Sequence, residues 1–120
     1  MSHPINVLMF DPRDNSFTRA QVNKYQDYYP LLTLDELIPV NTFDIVNIAD
    51  DIDIYVDDEG LFKETLYVTE MVDDYARTFQ LVGKLVFTGG PDNEGNTTSI
   101  TKTEQEIRKH ILRVFVGVQK

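Results

Sequence analysis

A chain of 120 residues with a formal net charge of −9 is long enough to bury one hydrophobic core and too short for two ordinary domains. Apolar residues at 42%, with seven phenylalanines and six tyrosines, exclude a disordered acidic chain, which lacks the apolar surface to offset the entropy of ordering. The absence of cysteine excludes disulfides and thiolate metal sites and suits a reducing compartment, and with no long apolar run and no signal-peptide pattern at Met1-Ser2-His3-Pro4 the expected location is the cytoplasm, away from membranes.

Ile5 to Phe10 is a short apolar run stopped by Asp11-Pro12, and it reads as a buried strand. A polar turn follows at Arg13 to Ser16. Phe17, Arg19 and Gln21 then alternate with Thr18, Ala20 and Val22, the pattern of a second strand hairpinned onto the first. From Asn23 the spacing changes to three and four, through Tyr25, Tyr28, Tyr29 and Leu32, which lines one helical face. Pro30 leaves two options, a helix that starts near it and runs through Leu37 or an earlier one that ends at Tyr29. Either way a short helix is expected between Gln26 and Leu37, closed by Pro39.

Phe43 to Ile48 and Ile52 to Val56 are β-branched and partly alternating, two strands joined by Ala49-Asp50-Asp51. The second enters Asp57-Asp58-Glu59-Gly60, where Gly60 can take the positive φ of a tight hairpin and Leu61 to Lys63 would return antiparallel. Glu64 to Thr78 fits neither period, which predicts irregular chain with one helical turn at Met71 to Ala76. Leu81 to Thr88 is the strongest strand, apolar on both faces except at Lys84, and belongs in the centre of a sheet, with Gly83 marking a bulge or a close backbone approach. Gly89 to Asn96 is a long turn region. Thr97 to Ile100 is expected as a last short strand, and Thr101-Lys102-Thr103-Glu104 has the form of a capping box. Ile107, Ile111, Leu112 and Phe115 fall on one face with Arg108, Lys109 and Arg113 elsewhere, which predicts an amphipathic C-terminal helix. The expected fold is a single α+β domain, a mainly antiparallel sheet with a short central helix and an amphipathic C-terminal helix.

The charge is unevenly spread. Between Asp50 and Asp74 ten residues are acidic and one, Lys63, is basic, while the remainder holds ten acids and ten bases. The whole net charge therefore sits in one segment. Ile52, Ile54 and Val56 alternate there with Asp51, Asp53, Tyr55 and Asp57, so the segment is patterned as ordered β-structure rather than as an acidic tail. Such a surface disfavours free nucleic acid and anionic membranes and favours basic partners.

The order of these signals resembles the domain of unknown function 3846 family. The features that carry the likeness are DIYVDDEG (Asp53 to Gly60), LVGKLVFTGG (Leu81 to Gly90), DNEG (Asp92 to Gly95) and SIT (Ser99 to Thr101), spanning roughly the C-terminal two thirds. Members are small proteins of bacteriophages, plasmids and other mobile elements, so the resemblance implies a setting and no activity. The chain departs from the pattern after the Asp-Glu-Gly hairpin, where an Asn-Arg pair is usual and Leu66 to Arg77 offers Glu70, Asp73 and Asp74 instead.

No catalytic constellation accompanies the charge. His3 lies near the terminus, and His110 sits on the expected helix beside Lys109, whose charge disfavours a second cation. Ser2, Ser16 and Ser99 stand in no nucleophile elbow, and the phosphate-loop consensus is missing. Asp51, Asp53, Asp57 and Glu59 on one strand face could share a weak divalent ion, but Tyr55 breaks the EF-hand order, and a solvated strand face accounts for them as well. Gly89 to Gly95 could present backbone amides to an anion, which Asp92 and Glu94 would oppose.

The expectation is a non-enzymatic interaction protein of mobile-element origin, without cofactor, that engages a basic, nucleic-acid-binding protein through Asp50, Asp51, Asp53, Asp57, Asp58, Glu59, Asp73 and Asp74. Tyr25, Tyr28, Tyr29, Tyr55, Tyr67 and Tyr75 would add flat anchors wherever they lie exposed beside the acids. Two alternatives stay open. One is self-association into a homodimer through an unpaired strand edge, with charge serving solubility only, and the other is a carboxylate-metal hydrolase.

Overall fold

The computed structural model describes residues 4–35, 37–59 and 65–118. The first strands, β1 (Ile5–Asp11) and β2 (Ser16–Val22), form an antiparallel hairpin with Phe10 opposite Phe17. Asn15 closes it at φ 57, a conformation asparagine tolerates better than most residues. A 3-10 turn at Tyr25–Asp27 leads into α1 (Tyr28–Leu32). Pro30 lies in the first turn, where an amide has no intrahelical partner to lose. The helix ends well before Pro39, because Thr33 is extended and its hydroxyl donates to the Tyr29 carbonyl at 2.8 Å.

Then come β3 (Phe43–Ala49), β4 (Ile52–Asp57), β5 (Thr65–Val72), β6 (Thr78–Val82), β7 (Leu85–Thr88), α2 (Glu104–Arg108) and β8 (Ile111–Val118). The strands build a five-stranded sheet in the order β2-β1-β7-β4-β3 and a three-stranded sheet in the order β6-β5-β8. Every neighbouring pair is antiparallel.

Side-chain alternation explains why the middle strands are apolar throughout. Leu8, Phe10, Ile54, Val56, Leu85 and Phe87 leave one face of the larger sheet and meet Met71, Phe79, Leu81, Ile111 and Val114 of the smaller one. Their neighbours Val7, Tyr55 and Val86 leave the other face and pack under Tyr28, Leu32 and Val40. A strand covered on both faces needs no polar positions, and β7 is buried at all four residues. Each large side chain removed from water in this way contributes about 1.5–3 kcal/mol.

The α+β class is overturned: the fold is mostly antiparallel β-sheet, with helix confined to short segments. The expected amphipathic C-terminal helix stops at Arg108, and Ile111–Val118 is β8. Ile111 and Phe115, four apart, imitate a helical stripe, but the β-branched and aromatic content of ILRVFVGV decides for the strand, in which a bulge at Leu112 puts the two on opposite faces. The capping box lies two residues later than expected. Thr103 Oγ1 accepts from the Glu106 amide and the Thr103 amide donates to the Glu106 carboxylate, both at 3.2 Å.

Of the segment Glu64 to Thr78 expected to be irregular, the residues from Thr65 on hold β5 and the start of β6, and Met71 to Ala76 is the end of β5 and a turn, not a helical one. A threonine on the core side of β5 and valines on its outer face erase the apolar–polar contrast, and a bulge opposite Glu70 and Met71 interrupts the register. Leu81 to Thr88 is two strands in two sheets, broken at Gly83, whose φ of 93 sends the chain from one sheet into the other. Thr97 to Ile100 forms no strand beyond a single bridge from Thr97 to Pro91. Gly60 and the return strand expected at Leu61 to Lys63 lie outside the described residues. Among those described, no helix is long and apolar enough to cross a membrane.

Candidate interaction surface

β4 carries the acidic segment, and its extended geometry pulls the acids apart. Its six residues, rising about 3.3 Å at each step, separate its ends by about 16 Å. Asp50 and Asp51 fall at one end, Asp57, Asp58 and Glu59 at the other.

The first end is partly neutralised from within. Lys102 Nζ lies 3.1 Å from Asp51 and 3.8 Å from Glu106, and the Asp51 carboxylate raises the lysine's pKa. The amide of Asp74 donates to the Ile48 carbonyl at 3.0 Å, which docks the β5–β6 turn beside Asp50. There the Asp74 carboxylate stands 3.8 Å from His110 Nε2. His110 is therefore not on a helix among cations. It lies in the turn before β8, and its Nδ1 donates to the Val72 carbonyl at 2.9 Å. Asp73 is a structural carboxylate, with its side chain 5% exposed. It accepts from the Tyr75 amide at 2.8 Å, the Arg77 amide at 2.9 Å and Arg77 Nε at 2.8 Å. Burial pushes its pKa up, but the Arg77 and Tyr75 amides and the guanidinium outweigh that and hold it below the usual carboxylate value.

The second end is different. Thr42 Oγ1 hydrogen-bonds the Asp58 carboxylate and lies 3.3 Å from Glu59 Oε1, while the Glu59 amide donates to Asp57 at 2.9 Å. The three acids are thus held in one turn, and Asp44 is exposed on the adjoining β3. Among the described residues no lysine or arginine forms an ion pair with Asp44, Asp50, Asp53, Asp57, Asp58 or Glu59.

Register then places apolar groups beside these acids. Phe43 pairs with Asp57, Ile45 with Tyr55 and Asn47 with Asp53, and paired residues share a face. Asp53, Tyr55 and Asp57 therefore point the same way as Phe43 and Ile45. Tyr25 covers Phe43 at 4.8 Å between ring centroids and is itself 60% exposed, while Ile45 at the sheet edge is 54% exposed. The result is an aromatic and aliphatic ledge between Asp53 on one side and Asp57, Asp58 and Glu59 on the other. Asp53 is oriented by Asn47 Nδ2 at 2.8 Å.

Of the eight acids singled out from the sequence, the structure brings Asp53, Asp57, Asp58 and Glu59 together on this ledge. Asp50, Asp51, Asp73 and Asp74 lie at the far end. Phe43, Ile45 and Thr42 were not foreseen as part of the surface. Their signal was a strand alternation shared across the β3–β4 hairpin. Asp53 and Asp57, four residues apart on one strand, stand about 13 Å apart and do not converge on one ion. Among the described residues no three His, Asp or Glu side chains gather into a metal-binding group.

No curated protein and no solved structure is significantly similar to this chain. A family model does match, over residues 5–113, and so takes in the β1–β2 hairpin that the turn motifs left out. The chain belongs to the domain of unknown function (DUF3846) family.

Proposed function

We propose that the chain is a non-enzymatic interaction protein of the cytoplasm whose β3–β4 ledge binds a basic partner of the kind that itself binds nucleic acid. The observation that supports this is the segregation of the acids. At the other end Asp51 and Asp73 pair with Lys102 and Arg77 of their own chain and Asp74 lies beside His110, whereas Asp53, Asp57, Asp58 and Glu59 surround exposed Tyr25 and Ile45 without a described counter-ion. Carboxylates so arranged attract an oppositely charged surface over long range, and a tyrosine with a partly exposed ring supplies contact area at small entropic cost once the surfaces meet. Lysine and arginine side chains of the partner would pair with the carboxylates while their stems pack on the ledge.

Ionic strength tests it. Affinity for a captured basic protein should fall steeply as salt rises from well below to well above the physiological range, through a slower association rate. A complex whose affinity is indifferent to salt contradicts the proposal.

A further inference from the structure

The smaller sheet ends on β8, and among the described residues no strand pairs with the outer edge of β8. An open edge of eight residues that reads ILRVFVGV is a template for another strand. Natural edges are usually blunted by charge, yet the single charged side chain here, Arg113, is already engaged by Glu70 at 3.2 Å. In a chain of net charge −9, this is an edge along which two copies meet without opposing like charges.

The register narrows the way they meet. Met71 pairs with Ile111 and Glu70 with Arg113, so Leu112 is a bulged residue without a partner on β5. The regular ladder is Arg113 to Val118, and Phe115 is one of its two central residues. On the outer face of the sheet Val82, Val68 and Phe115 stand in one cross-strand row. None of the three belongs to either core cluster. Phe115 carries the Arg113 guanidinium over its ring at 4.7 Å.

We propose that β8 pairs antiparallel with β8 of a second copy about a two-fold axis through Phe115, giving a continuous six-stranded sheet. Phe115 then faces its own copy, and the valine–valine–phenylalanine row runs unbroken across both chains. Arg113 falls opposite Gly117, which has no side chain to obstruct it. Val116, 61% exposed in the single chain, falls beside Val114 of the other copy. This pairing is independent of the ledge on β3 and β4, which stays accessible in the dimer.

Two measurements test it on the full chain. Light scattering should give twice the chain mass, and Val116→Lys, which charges an exposed position without touching the core, should give the mass of one chain with an unchanged β-sheet circular dichroism spectrum. Because the chain contains no cysteine, crosslinking can report the register. Phe115→Cys should oxidise to a disulfide-linked dimer by itself. Arg113→Cys and Gly117→Cys should each stay uncrosslinked alone and link when mixed, since only directly opposed positions bring Cα atoms within the roughly 4.4–6.8 Å that a disulfide spans. A single-chain mass at every concentration overturns the proposal, as does a Phe115→Cys variant that crosslinks no faster than Thr18→Cys on β2.

Discussion

The ring of Tyr28 lies flat on the ring of Tyr55, with centroids 4.1 Å apart and planes 4° from parallel. One belongs to α1 and the other to β4, so this contact fixes the helical layer to the strand whose neighbouring positions on the same face are Asp53 and Asp57. Burial raises the Tyr28 phenol far above its ordinary pKa, with the Tyr55 hydroxyl adding to the effect, so Tyr28 stays neutral. Tyr55 extends the link by a hydrogen bond of 2.9 Å to Thr97 Oγ1.

Removing that ring should cost more than removing its hydroxyl bond. Tyr28→Ala is expected to destabilise the fold by about 3–5 kcal/mol, as for other large buried aromatics. Tyr55→Phe, which keeps the stack and loses the bond to Thr97, should cost about 0.5–1.5 kcal/mol. Urea unfolding followed by circular dichroism measures both. Equal losses would mean that the stack contributes nothing of its own.

Thr69 offers the opposite sign. Its side chain faces the core between the two sheets, fully buried, and its hydroxyl has no hydrogen-bond partner among the described residues. Thr69→Val fills nearly the same volume without a stranded polar atom and should raise stability by on the order of 1 kcal/mol. A lower midpoint in urea would show that the hydroxyl is satisfied in solution.

Asp73 sets a pH dependence. Its folded pKa lies below that of the unfolded chain, so its contribution is complete above the ordinary carboxylate value, about 3.9, and is lost as pH falls through the folded value. Thermal melts of Asp73→Asn should show lower stability than the native chain at neutral pH and a smaller further loss on acidification. Asp50→Asn, an exposed side chain, should leave both unchanged within about 0.5 kcal/mol. Parallel acid limbs for the native chain and Asp73→Asn would remove Asp73 from this role.

The legible parts of the sequence were those where one period applied without interruption. INVLMF, FDIVNI and IDIYV are strands with ends close to those their alternation implied, and Tyr28 and Leu32 fall on the buried face of a helix where four-residue spacing put them. The C-terminal strand was hidden because Ile107 belongs to a short helix and Ile111 to a strand, and together they imitate one helical stripe. Gly83 was noticed, but no local pattern tells a bulge from a corner that exchanges one sheet for another. Sequence proximity also overstated the acidic surface: Asp51 and Asp57 are six residues apart along the chain but sit at opposite ends of β4. Lys102, which answers Asp51, comes from a part of the chain that only the fold brings near, while Arg77 answers Asp73 from four residues on, within one turn.

The most direct test of the ledge compares two neutralised variants of the whole chain as bait in cell extract at low salt. One carries Asp53→Asn, Asp57→Asn, Asp58→Asn and Glu59→Gln, and the other carries Asp50→Asn, Asp51→Asn and Asp74→Asn. The first should lose a basic protein that the native chain retains, and the second should retain it. Equal retention by both variants, or loss confined to the second, would contradict a partner surface on β3 and β4.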